Sequence, residues 1–246
     1  MFPTIHPTRP DRGPILAKAA LLFGLAAYFA LNIVTGNLSN YINTRFAWLS
    51  IIAVVLFAAL GAAVLSELRG NARISHLRIR LPSLIIMAVP LVLGTLIPSR
   101  PLGAEAIEGG LQVGAASYSA ADIALVAKDP LDRDVLDWSR LFVSEQSPTV
   151  FNGQAARVLG FVYKEPAFPE GTFMIGRFTL SCCVADASAL GLPAYLAGGV
   201  DDLAAGVWVE VEGTFQAQEF LGSQVPVLQI AKLTPTDEPE QPYLYP

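Results

Sequence analysis

Three long apolar runs fall within the first hundred residues, at about 14–35, 46–66 and 81–98, and they constrain this chain more than any other feature. A helix crossing a bilayer core of about 30 Å needs about 20 mostly apolar residues in a row, because its backbone polar groups find no partners in lipid. The first run extends from Pro14 to Thr35, with Lys18 close enough to its start to snorkel, and the second reads FAWLSIIAVVLFAALGAAVLS between Arg45 and Glu67. The third, LPSLIIMAVPLVLGTLIPS, is the shortest and carries Pro90 at its middle, where a kink is expected. The first run is long for the apolar core of a signal peptide, and no A-x-A site precedes GNLSNYINTR, so it reads as a retained span. No Asp, Glu, Lys or His sits in the middle of any run, whereas transport pathways usually carry such groups. Three such helices are therefore an anchor rather than a pore, and any pathway belongs to another polypeptide. Small residues such as Gly24, Ala26, Ala27, Ala58, Ala59, Gly61, Ala62 and Ala63 would let the helices approach one another or a partner.

The charges divide at the same place as the apolar pattern. Arg and Lys dominate before Ser99, and Asp and Glu outnumber them about two to one after it. Arg9 and Arg12 precede the first run, and Arg69, Arg73, Arg78 and Arg80 fill the loop between the second and third, while the loop between the first and second has only Arg45. Positive loops stay on the cytoplasmic side, so three crossings of a cytoplasmic (inner) membrane place the N-terminus inside and everything after Ser99 outside. The acidic balance of that outer part repels phosphate backbones and argues against nucleic acid as a partner, leaving membrane lipid and protein.

The expected organisation is a transmembrane anchor over residues 1–99, a linker and lead-in helix over 100–137, and an extracytoplasmic β domain over 138–246. Pro101–Ser119 is rich in Gly and Ala and reads as a loosely packed linker, and the spacing of Leu131, Val135, Trp138 and Leu141 or Phe142 predicts a short amphipathic helix within Asp129–Phe142. From Ala155 onward, ARVLGFVYKE, FMIGRFTLSCCV, VWVEVEGTFQA and VPVLQIAKLT read as strands separated by Gly, Pro and Asp. In VWVEVEGTF, Val207, Val209 and Val211 fall on one face and Trp208, Glu210 and Glu212 on the other. Four or five such strands, with Gly160 and Gly213 placed for a bend or bulge, predict a small Greek-key barrel of the OB type, an all-β outer domain. Phe161, Tyr163, Phe173 and Phe178 are weighed as core against a ligand-stacking surface.

The chain's two cysteines are neighbours, Cys182 and Cys183, in RFTLSCCVADA. On a regular strand their side chains point to opposite faces, so a shared ligand requires a turn or bulge. Two thiolates with the carboxylate of Asp186 suit zinc or a softer ion, but zinc usually takes four ligands. His6 and His76 are the chain's two histidines and both are expected on the inner side, so completion falls to Asp201, Asp202, water or a partner chain. Two alternatives stay open: buried structural cysteines, and a redox pair closing into a strained vicinal disulfide. Without a histidine base in the outer domain, a cysteine hydrolase is not expected, and the chain is not read as an enzyme.

GNLSNYIN after the first span, GFVY, RFTLSCCVADA, WVEVEGTF and the terminal PYLYP together resemble the YcgQ-like family of two-component permease subunits, small bacterial membrane proteins with a double-cysteine outer domain. The resemblance is most specific at Arg177, Phe178, Ser181, Cys182, Cys183, Ala185, Asp186 and Ala187 and then at Pro242–Pro246, and it does not extend to Pro101–Asp137. It implies a larger multi-spanning permease subunit as partner and a part in metal handling, zinc in particular, with Cys182, Cys183 and Asp186 as candidate metal ligands. The leading expectation is a membrane-anchored accessory subunit whose outer domain binds a ligand or docks on the permease. A structural envelope adaptor and a thiol-redox protein are its rivals.

Overall fold

The computed structural model describes residues 12–69, 81–107, 111, 128–145 and 147–246. Arg9, Arg73, Arg78, Arg80, His6 and His76, on which the orientation and histidine arguments partly rest, lie outside the described residues, as does most of the stretch expected to be a linker. The chain forms two compact units, Met1–Arg100 and Pro101–Pro246.

The first unit holds α1 (Arg12–Val34), α2 (Ala47–Ser66) and α3 (Leu81–Leu96). Helix α1 packs against both of the others. α1 and the segment Thr44–Ser66 are each long and apolar enough to cross a membrane. α3, with 16 residues and Pro90 inside it, falls short of the about 20 residues of a perpendicular crossing. Small residues set the helix spacing: a β-carbon on Gly24 would lie 2.9 Å from Leu91, and one on Gly61 would lie 3.0 Å from Phe23. These glycines thus serve packing within the unit. Gly36, at φ 76°, takes the left-handed conformation that ends α1. The Asn43 side chain then accepts the Arg45 N–H at 2.9 Å, starting the turn into α2. Asn40 Nδ2 donates to Ser99 Oγ at 2.7 Å, so the C-terminal ends of α1 and α3 lie at the same end of the unit.

The second unit contains α4 (Val135–Ser144) and six strands: β1 (Ala155–Tyr163), β2 (Thr172–Thr179), β3 (Ser188–Tyr195), β4 (Trp208–Phe220), β5 (Ser223–Pro235) and β6 (Tyr243–Leu244). They form a mixed sheet in the order β1-β4-β5-β3-β2-β6, in which β1 also pairs with β2. The sheet has six strands where four or five were expected, and β3 and β6 lie outside the four segments read as strands. β3 contains Gly191 and Pro193 and lacks the β-branched residues that signal a strand, and β6 is two residues of the terminal PYLYP. The predicted second strand is also too long, because β2 ends at Thr179 and the cysteines follow it.

Of the two glycines expected at a bend or bulge, Gly213 lies at one and Gly160 serves close strand approach instead. The β4–β5 register shifts between Glu212 and Gly213, where a β-carbon would collide with the Gln229 carbonyl. At Gly160 a β-carbon would lie 2.6 Å from the Gly176 carbonyl oxygen, so β1 and β2 approach closely there. The predicted alternation in β4 holds at Val209 and Val211, which are fully buried, yet Trp208 on the opposite face is buried as well. It belongs to a second cluster with Phe161, Phe178, Leu180 and Tyr243, packed against Leu102, Ala104 and Ile107. The lead-in expected to be loose is therefore packed at these positions. Phe161, Phe173 and Phe178 are core, with Tyr163 packed at the edge, so none of the four forms an open stacking surface.

The predicted amphipathic helix begins later than its spacing implied. Arg133 is extended, and Asp134 opens a new helix by accepting the Asp137 N–H at 2.9 Å while the Asp137 carboxylate accepts the Asp134 N–H at 3.2 Å. Val135 and Trp138 close the main core, with Phe142 against Phe215 and Phe151, whereas Leu131, upstream of the cap, is exposed.

Candidate metal centre

The site begins where β2 stops. The β2–β3 ladder ends at the Thr179–Ser188 pair, and the next residue, Leu180, is fully buried with its N–H donating to the Leu244 carbonyl at 3.0 Å. Ser181, Cys182 and Cys183 then leave the sheet. A single turn over Val184–Asp186 follows, with the Asp186 N–H donating to the Cys183 carbonyl at 3.0 Å and the chain returning as β3. Both cysteines thus lie in the connection between two strands, which removes the strand alternation that would have separated their side chains. Cys182 is exposed and Cys183 half-buried, so neither is a core residue.

Asp186 organises this connection. One carboxylate oxygen accepts the Ser181 N–H at 3.0 Å, and the other accepts the N–H groups of Cys182 at 2.7 Å and Cys183 at 3.4 Å. Three backbone donors converging on one carboxylate fold the loop around it. The two sulfurs are 3.7 Å apart. The Cys182 and Cys183 sulfurs and an Asp186 oxygen all lie within 4.8 Å of one another. The cluster does not include Asp201 or Asp202.

The electrostatics follow from the same contacts. A hydrogen bond to the Asp186 carboxylate, and then one to Cys183, favours the protonated form of Cys182 and pushes its thiol up to about 11. The converse effect holds Asp186 below the usual carboxylate range, through the Cys182 thiol first and the backbone N–H groups after it. Two thiolates at about 2.3 Å from a tetrahedral zinc stand about 3.8 Å apart, so the donor types and the sulfur separation fit that ion.

What holds the loop in place was not legible as a site. Arg177, two residues before the end of β2, is buried and directs Nε to the Pro242 carbonyl, Nη1 to the Leu159 carbonyl and Nη2 to the Gln241 carbonyl, each at 3.2 Å. Its guanidinium lies over Trp208, 5.2 Å from the ring centre. Burial lowers its pKa to about 10, against which the negative charge of Asp134 acts. These bonds fix the C-terminal segment so that β6 pairs in parallel with β2 at Phe178–Tyr243 and Thr179–Leu244. The Tyr243 hydroxyl accepts the Leu102 N–H at 2.8 Å. An arginine flanked by Gly176 and Phe178 in a fully buried strand was the available signal, because a buried cation needs acceptors close by.

Comparison with known proteins adds relatives to this geometry. Residues 18–110 match the DUF1980 N-terminal domain and residues 138–246 match the DUF1980 C-terminal domain. A protein of Streptococcus mutans serotype c (strain ATCC 700610 / UA159), named "Putative two-component membrane permease complex subunit", is 25% identical over 265 residues, spanning 90% of this chain and 97% of that protein. The UPF0703 protein YcgQ of Bacillus subtilis (strain 168) is 22% identical over 281 residues, spanning 93% of this chain and 98% of that protein.

Proposed function

Since this chain belongs to the DUF1980 family and carries both of its domains, we propose that it is the membrane-anchored accessory subunit of a permease complex, with a metal-binding outer domain. The name of the Streptococcus mutans relative supports a partner subunit. The absence of Asp, Glu, Lys and His from the middle of the apolar runs supports a partner that carries the pathway. In this reading all three helices cross the cytoplasmic membrane, the N-terminus is inside, and the sheet unit is outside. The shared end of α1 and α3 favours alternating crossings. The sheet unit is read as an OB-like barrel, supported by a ring of pairings in which β1 meets both β2 and β4 and β3 meets β5 in parallel.

The observation that carries the metal reading is the convergence of Cys182, Cys183 and Asp186 within 4.8 Å on a solvent-facing loop. Cys182 and Cys183 would hold zinc through thiolates, with Asp186 as an oxygen donor, and the ion would be cargo captured for the permease or a signal for docking on it. No catalysis is proposed, because a histidine base is missing from the sequence of this unit. The test is a zinc titration of the full chain in detergent beside the Cys182→Ser/Cys183→Ser variant. One equivalent bound by the wild type and lost in the variant supports the reading. Equal weak binding by both overturns it in favour of a structural adaptor. A Cys182–Cys183 disulfide that forms and reduces reversibly in the native membrane, with no zinc bound at either stage, would favour the redox role instead.

A further inference from the structure

Building on the metal reading above, we infer that the Cys182–Cys183–Asp186 site is an open transfer site, which takes at least one donor to its zinc-class cation from the molecule that delivers or receives the ion. The donor inventory carries the argument. Among the described residues no fourth His, Cys, Asp or Glu joins the cluster. Asp186 has little left to give. Its oxygen that receives both the Cys182 and Cys183 N–H groups has no lone pair free in the carboxylate plane, and the oxygen that receives the Ser181 N–H has one, once the Cys182 thiol that also bonds to this carboxylate has given up its proton. Asp186 therefore supplies a single contact at most, unless the loop it folds comes apart.

Among the described residues the donors of the cluster thus sum to two sulfurs and one oxygen. Structural zinc sites are closed by four protein ligands, whereas three ligands leave a position for an exchangeable group. The cluster is open to solvent at Cys182, which is exposed, so an outside donor can reach it. Thiolates also set the cation class: calcium and magnesium take oxygen ligands, while the 3.7 Å sulfur separation matches one edge of a tetrahedral zinc–thiolate site. Loading is balanced without redox chemistry. Two S–H bonds break, two S–zinc bonds form, and both protons go to solvent. In transfer, an incoming nitrogen, oxygen or sulfur donor bonds to the cation before a sulfur departs.

The experiment loads the full chain in detergent with one equivalent of zinc ion and follows release to a coloured chelator by stopped flow, with X-ray absorption on the loaded protein before and after addition of imidazole. An open site gives a release rate that rises about tenfold over a tenfold range of chelator, and an absorption spectrum with about two sulfurs and lighter donors, one of them replaced by imidazole. A release rate independent of chelator concentration, with a spectrum unmoved by imidazole, describes a closed site and overturns the inference while leaving metal binding intact. Failure of the wild-type chain to retain zinc at all removes the metal reading itself, so the two failures are distinct.

Discussion

In the helical unit Ile51, Val55, Leu60 and Ile86 are 56%, 62%, 53% and 71% exposed, whereas in the sheet unit Phe173, Ile175, Leu192 and Val211 are fully buried. The side chains are of one chemical kind, and the two units put them on opposite sides of their backbones. The sheet unit removes apolar surface from water with its own core. The helical unit displays it, which is stable only where the surroundings are themselves apolar. The order of the two units therefore has different sources, packing within the chain for one and apolar surroundings for the other.

Truncating one large side chain in each unit separates these two sources of order. Phe215 is buried against Trp138 and Phe142, with ring centres 4.7 Å and 5.2 Å apart, so Phe215→Ala is expected to cost about 3–5 kcal/mol. Ile51→Ala on α2 removes a side chain that touches little protein and is expected to cost under about 1 kcal/mol. Denaturant unfolding of the full chain in micelles measures both, and equal losses would show that the helices depend on contacts within the unit.

Arg177 tests whether the buried part of the sheet unit tolerates polar groups only when they are satisfied. Arg177→Met leaves the carbonyls of Leu159, Gln241 and Pro242 without their donors, for an expected loss of about 2–3 kcal/mol. Hydrogen exchange should then show β6 unprotected and the amides at Leu180 and Leu102 exchanging faster. Arg177→Lys should recover only part of this, because an ammonium cannot reach three carbonyls with a planar fork. Unchanged protection at Tyr243 and Leu244 would mean that strand pairing alone holds the tail.

How much of this was legible in advance divides along the same line. The helices were readable because uninterrupted apolar length is a local property, and the strands β1, β2, β4 and β5 because β-branched and aromatic content between turn residues is local too. β3 was not, since Gly191 and Pro193 are poor local signals of a strand and its pairing with β2, Gly191 opposite Gly176 and Pro193 opposite Met174, is a long-range property. The cysteines were identifiable by chemistry alone. The loop that brings them together was not, because it depends on Asp186 collecting three N–H groups and on a tail held by an arginine 65 residues earlier. Residue type and spacing carry no record of contacts at that separation.

Asp186 supports a kinetic test at the solvent-facing edge of the sheet unit. With its pKa raised to about 11, Cys182 holds only about a thousandth of its population as thiolate at pH 8, and alkylation should climb about tenfold per pH unit until the pH nears 11. Asp186→Asn removes the charge that favours the protonated thiol. In a Cys183→Ser background, it is expected to raise the alkylation rate of Cys182 at pH 8 about tenfold, read by mass spectrometry. An unchanged rate would mean that the carboxylate folds the loop but does not govern the thiol.

Among the described residues, one place in the sheet unit combines exposure of an apolar side chain with a backbone that disfavours it. Leu221 is 56% exposed at the β4–β5 turn and sits at φ 51°, followed by Gly222 at φ 80°. Positive φ at both positions of a two-residue hairpin turn matches the twist of the strands it joins, so the turn type is set by the hairpin. A leucine there carries a β-carbon crowded against its own backbone, at a cost of about 1–2 kcal/mol, and glycine removes that crowding while adding freedom to the unfolded chain. Leu221→Gly should therefore stabilise the full chain by about 0.5 kcal/mol, seen as a small rise in the unfolding midpoint at unchanged slope. A loss instead would mean that the Leu221 side chain makes contacts that outweigh the crowding of its backbone.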